Sequence, residues 1–118
     1  MTKRQHINDY VRFRTAIQAA SNVTGIKREH ILGRRRLRPY ADARQMAMQI
    51  VRQSTKLNLT DIGRLFDRDH STVIHAINSV KNLVGISDNY RDEFNQILGE
   101  YDRLIKELQP DPIEVIVE

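Results

Sequence analysis

Asp69, His70, Ser71 and Thr72 stand in succession directly before an apolar periodic stretch. Four short polar side chains at that place gather where a helix leaves its first backbone N–H groups unpaired. Their chemistry is recognition rather than bond making: a carboxylate accepts from a cytosine amino group, an imidazole donates to or accepts from a purine edge, and a hydroxyl does either. His75 lies one turn after Ser71 and is able to hydrogen-bond with it, but no third group or oxyanion site accompanies the pair. Asp67, Asp69 and His70 lack the spacing of a calcium loop. His70 and His75, five apart, do not share a helix face as the histidines of HExxH do. None of the five glycines opens a phosphate loop ending in Gly-Lys-Ser/Thr. No catalytic residue, metal, cofactor or nucleotide is expected, and the chain does not read as an enzyme.

The second concentration of chemistry is Arg34-Arg35-Arg36-Leu37-Arg38-Pro39. Such a run reads as an exposed basic loop, and the planar fork of arginine suits phosphate and minor-groove contact. Charge is segregated along the chain. Residues 1–56 carry 13 Lys/Arg against 3 Asp/Glu, a net of +10, and residues 57–118 carry 6 against 12, a net of −6. A basic half of this kind marks a face for a polyanion.

Helices must position these groups. Asn8 caps a helix whose apolar residues Tyr10, Phe13, Ile17 and Ala20 recur at helical spacing, and Thr24-Gly25 ends it. A short helix over 27–32 turns Ile26, Ile31 and Leu32 inward and stops at Gly33. A longer helix over 40–56 buries Ala43, Met46, Ala47, Ile50, Val51 and Ser54, with Arg44, Gln45, Arg52 and Lys56 off that stripe. Thr60 is the expected N-cap of a helix over 61–66, with Leu59 as a hydrophobic staple, and Gly63 permits close approach of another helix. Asp67-Arg68 forms a turn. Asp69 caps the next helix, which runs to Val84 with Gly85 as its left-handed terminator. Val73, Ile77, Val80 and Val84 face inward with Ile74 beside them, while Ser71, His75 and Asn78 face outward and Lys81 flanks them. Short helix, tight turn and longer helix form a helix-turn-helix, the geometry that presents side chains to base edges in the major groove. Ser87 or Asp88 caps a last amphipathic helix to Leu108, built on Tyr90, Phe94, Ile97, Leu98, Tyr101, Leu104, Ile105 and Leu108. Residues 1–7 read as a frayed start and residues 109–118 as an acidic, flexible tail, leaving one all-α domain over 1–108.

With 118 residues, 40% hydrophobic and 29% charged, the chain is expected to be globular rather than disordered. It has no cysteine, which excludes disulfides and thiolate metal sites and fits a reducing compartment. No signal peptide is evident, and no apolar run approaches the ~20 residues of a membrane span. A cytoplasmic, nucleoid-associated protein is expected.

At Ile62-Gly63-Arg64-Leu65-Phe66, followed by Arg68-Asp69-His70-Ser71-Thr72-Val73-Ile74-His75-Ala76, the chain resembles the C-terminal DNA-binding domain (domain IV) of DnaA, the bacterial chromosomal replication initiator. Ala43-Arg44-Gln45-Met46-Ala47-Met48 is similar to a second block of that domain at the matching distance, and Arg34 to Arg38 falls in register. The likeness covers about residues 8–106. It implies a Trp-repressor-like helical domain with a helix-turn-helix and a long C-terminal helix, binding double-stranded DNA at a DnaA-box-like site. Asp69, His70 and Ser71 would contact bases and Thr72 a base or phosphate. Arg36 would enter the minor groove. Arg44 and Gln45 match phosphate- and DNA-facing positions, Arg52 a backbone-contacting one and His75 another DNA-facing one. Arg34, Arg35, Arg38 and Arg68 are assigned to the backbone as well.

The chain departs from the family's pattern at the turn, which is one residue shorter, with Asp67 where two glycines are usual. Ser71 replaces the more usual threonine, and Asn78 and Ser79 stand where basic residues are common. These departures bear on the preferred sequence more than on DNA binding. The initiator's nucleotide-binding domain is missing from these 118 residues, so a stand-alone module acting in replication initiation or its regulation is expected. Two other readings compete: a transcriptional repressor, and an adaptor whose last helix and tail dock a protein partner or a second copy. A membrane-surface binder is disfavoured, because the arginines lie in a loop rather than along an apolar helix face.

Overall fold

The computed structural model describes residues 7–108, which form six helices: α1 Asp9–Thr24, α2 Arg28–Leu32, α3 Arg38–Ser54, α4 Leu59–Phe66, α5 His70–Ile86 and α6 Asp88–Leu108. No strand occurs among the described residues. The expected all-α class and helical order hold, and the 109–118 tail lies outside the described residues.

The chain wraps around α3. It packs against α1 and α5 most extensively, and also meets α2, α4 and α6. A helix covered on so many sides needs apolar residues nearly all round, and Ala43, Met46, Ala47, Met48, Ile50 and Val51 are all buried. α1 and α6 lie against each other along the outside, where Phe13, Ile17, Phe94 and Ile97 enter the same core. Phe13 meets Phe66 edge-to-face, with ring centroids 5.0 Å apart and planes at 82°, so α1 braces the end of α4. Each large side chain buried here, such as Phe66 or Ile62, contributes about 1.5–3 kcal/mol by leaving water.

Local signals set most boundaries. Asn8 Oδ1 accepts from the Val11 N–H at 2.9 Å, and Gly25 ends α1 at φ 75°. Ser87 Oγ accepts from the Tyr90 N–H at 3.2 Å, so Ser87 caps α6. Other boundaries differ from the sequence reading. Asn58, not Thr60, caps α4, accepting from Asp61 N–H at 2.8 Å; Leu59 is therefore the first helical residue rather than a staple ahead of the cap. Gly85 does not terminate α5. The helix runs through it to Ile86, and the left-handed glycine among the described residues is Gly25. α3 begins at Arg38 with Pro39 in its first turn, where the missing N–H costs nothing; Arg38 thus belongs to the helix and not to the loop. Tyr10 is 55% exposed rather than in the core, whereas Ile7 is buried. Ile7 seats the chain one residue before the cap, which removes residue 7 from the frayed start.

Candidate functional site

α4, the turn and α5 form a rigid corner. The Asp67 N–H donates to Arg64 O at 3.2 Å and the Arg68 N–H to Gly63 O at 2.7 Å, the double closure of a Schellman end. Asp67 takes the left-handed conformation at φ 58°. The chain then returns so tightly that a Cβ on Gly63 would collide with the Arg68 carbonyl oxygen. The close approach that Gly63 allows is thus to the backbone of its own turn, and not, as expected, to another helix.

α5 leaves this corner capped by Asp69. One carboxylate oxygen, Oδ1, accepts from Thr72 N–H at 3.0 Å, Ser71 Oγ at 2.7 Å and Thr72 Oγ1 at 3.3 Å. These donors, Ser71 first and the Thr72 N–H next, hold the Asp69 carboxyl below its ordinary pKa, because each bonds to the charged form. Ser71, whose spacing would also allow a bond with His75, bonds to Asp69 instead. His70, Ser71, Thr72, His75, Asn78 and Lys81 are exposed, while Val73, Ala76 and Val80 are buried on the reverse face. Ile74 is partly open to solvent at 39%.

The basic loop between α2 and α3 is fastened to this corner by arginines. Arg44 is 7% exposed. Its Nε donates to Ile31 O at 2.6 Å, and its Nη2 donates to His30 O at 3.0 Å and Arg35 O at 3.2 Å. The expectation that Arg44 lies off the buried stripe is therefore corrected. The end of α2 leaves carbonyls without helical partners, and a buried guanidinium satisfies them. Arg68 donates through Nη2 to Gly33 O at 2.6 Å and through Nη1 to Phe66 O at 2.8 Å. Burial lowers the pKa of both guanidinium groups, helped by Arg68 at Arg44 and by Arg34 at Arg68; Asp67 opposes the shift at Arg68. Arg34 reaches Asp67, its Nη2 donating to Oδ2 at 2.6 Å and to the main-chain oxygen at 3.2 Å. The His30 and Tyr40 rings stack with centroids 4.9 Å apart, closing the base of the loop.

The structure thus divides the arginines expected to act together. Arg34, Arg44 and Arg68 hold the loop. Arg35 and Arg36 are exposed, and their side chains donate no hydrogen bond among the described residues. Arg38 is exposed and pairs with Asp42 at 3.1 Å. Gln45 is half-buried and Arg52 exposed on α3. Arg34, Arg64, Asp67, Arg68, Asp69 and Thr72 line one open hollow, so the loop and the start of α5 share a face. Arg64 was missed by the sequence reading; it is exposed on α4 and paired with Asp61 at 3.1 Å. Its one signal in the sequence is a polar position between the buried Ile62 and Phe66.

Among the described residues no group of three or more His, Asp or Glu could hold a metal ion, and no helix is long and apolar enough to cross a membrane.

The family model for the bacterial DnaA protein helix-turn-helix matches residues 14–80. The chain belongs to the DnaA helix-turn-helix family. Among its DnaA relatives, the protein named chromosomal replication initiator protein DnaA of Wolbachia pipientis wMel is 42% identical over 73 residues, 61% of this chain and 16% of the relative. The protein of that name in Streptococcus agalactiae serotype Ia is 42% identical over 74 residues, 62% of this chain and 16% of its own length. DnaA 2 of Protochlamydia amoebophila is 37% identical over 93 residues, 79% of this chain and 19% of the relative. The chain therefore spans less than a fifth of the DnaA proteins it matches. The matched residues take in α3, the basic loop and the corner before α5.

Proposed function

We propose that this chain is a sequence-specific double-stranded DNA-binding module that recognises a DnaA-box-like site in replication initiation or its regulation. One observation carries the reading: an exposed polar start of α5 and an exposed arginine loop share a face on either side of a rigid turn. α5 enters the major groove. His70 and Ser71 read base edges, Thr72 meets a base or phosphate, and Asp69 combines its cap with a base contact. Arg36 reaches into the adjacent minor groove. Arg35, Arg38, Arg52, Gln45 and His75 meet the sugar–phosphate backbone. Arg44 and Arg68 support these contacts by holding the loop. The names of the DnaA relatives support a place in replication; a repressor would use the same face. The adaptor reading has less support, because Tyr90, Phe94, Ile97 and Tyr101 of α6 are taken up by the chain's own core.

Fluorescence anisotropy on a DnaA-box duplex and a scrambled duplex, across salt concentration, tests the proposal. The box should bind more tightly, with both affinities falling as salt rises. Equal affinity for the two duplexes would remove sequence-specific recognition.

A further inference from the structure

Within the duplex-DNA reading above, on which this step rests, we propose that Asp67 is a positioning residue that holds Arg34 at the turn and withholds its charge from DNA phosphate. Asp67 is a non-glycine residue at positive φ, and two main-chain bonds of the turn fix its backbone. Its carboxylate therefore projects from a rigid base. Arg34 meets it with two contacts from one nitrogen, 2.6 Å to the carboxylate and 3.2 Å to the main-chain oxygen.

The neighbouring carboxylates are already engaged. Asp61 takes Arg64, and Asp69 takes the hydroxyls and N–H at the start of α5. Asp67 is the carboxylate left to balance Arg34 and Arg68 in the hollow they share. The side chains of Arg34 and Asp67 are 69% and 86% exposed, and an exposed pair adds little to folding stability. Its effect falls instead on where a charge is directed. A phosphate that draws Arg34 away from Asp67 lies beside a carboxylate that only Arg68 then offsets. Arg35 and Arg36 have no such competitor among the described residues.

The test is a double-mutant cycle on the full chain, read by anisotropy across salt with both duplexes. Asp67→Asn keeps a side-chain oxygen, suits the left-handed conformation and removes the charge. It should tighten binding to both duplexes on the order of threefold to tenfold and steepen the log–log salt slope by about 0.9, the value of one added phosphate contact. Arg34→Ala alone should leave the slope unchanged, and in the Asp67→Asn background it should cancel the gain. Asp67→Gly, which accepts the same backbone angles, should reproduce the steeper slope, separating charge from any defect in the turn. A slope unmoved in both Asp67 variants, or an Arg34→Ala slope shallower by about 0.9, would overturn the proposal while leaving DNA binding intact. Absence of salt-dependent binding by the unsubstituted chain would overturn both.

Discussion

Ser71 shows how a neighbour narrows the chemistry of a side chain. Its hydroxyl proton is directed to Asp69 Oδ1 across 2.7 Å, so in the proposed complex it turns lone pairs toward a base. It then favours an exocyclic amino group over an acceptor such as guanine O6. His70 carries no such commitment among the described residues. His70→Ala should erase most of the preference for box over scrambled duplex, a loss of about 1–3 kcal/mol in discrimination, with the salt slope little changed. Arg36→Ala should weaken binding to both duplexes and flatten the slope by about 0.9. Discrimination retained by His70→Ala would refute the assigned orientation of α5. Arg44 belongs with the scaffold. Arg44→Met should cost about 1–3 kcal/mol in chemical denaturation, because the buried carbonyl of residue 31 and the part-buried ones of residues 30 and 35 lose this donor. Arg44→Lys should recover little, since an ammonium cannot reproduce the fork. The sequence marks Arg44 as polar and basic. Its burial depends on carbonyls 9 to 14 residues away, so the local pattern places it on the outside.

The corner between α4 and α5 depends on Gly63. Gly63→Ala forces its new methyl against the Arg68 carbonyl, and backbone cannot swing aside as a flexible side-chain end can. Loss of about 1–3 kcal/mol in urea unfolding is expected, with weaker binding to the box duplex than that loss alone accounts for, because the start of α5 is re-aimed. Unchanged stability would mean that the turn relaxes freely. Element boundaries were legible wherever a short-range bond sets them: Asn8, Gly25 and Asp69 cap or terminate as their side chains and φ preferences dictate. Gly85 misled because glycine only permits a left-handed stop. Ser87 N–H bonds back to Leu83 O, and the helix simply continues to reach it. At α4 two good caps, Asn58 and Thr60, compete within three residues, and tertiary packing of Leu59 against the core favours the earlier start.

At the scale of the whole molecule, the basic half supplies α1, α2, the arginine loop and α3, while the acidic half supplies α4, α5 and α6. Glu100 on α6 ties the two ends of the fold. It accepts from Asn22 on α1 and from Arg103, and the Arg103 bonds, followed by that of Asn22, depress its carboxyl from 4.5 to about 2. A depressed carboxylate stabilises the fold above its unfolded value and loses that contribution as pH falls through the folded one. Glu100→Gln should therefore lower the melting temperature at neutral pH and flatten the decline between about 4.5 and about 2, the two melting curves converging at the acid end. Curves that stay parallel to the acid limit would dismiss this role. The bond from Asn22 to Glu100 joins positions 78 apart in the chain. The α1–α6 seam therefore closes long loops, whose entropic cost grows with contour length. Loop closure of that length predicts that assembly begins among helices close in sequence and joins the α1–α6 seam late; pulsed hydrogen exchange during refolding that protected α1 and α6 ahead of the corner carrying His70 and Ser71 would contradict that order.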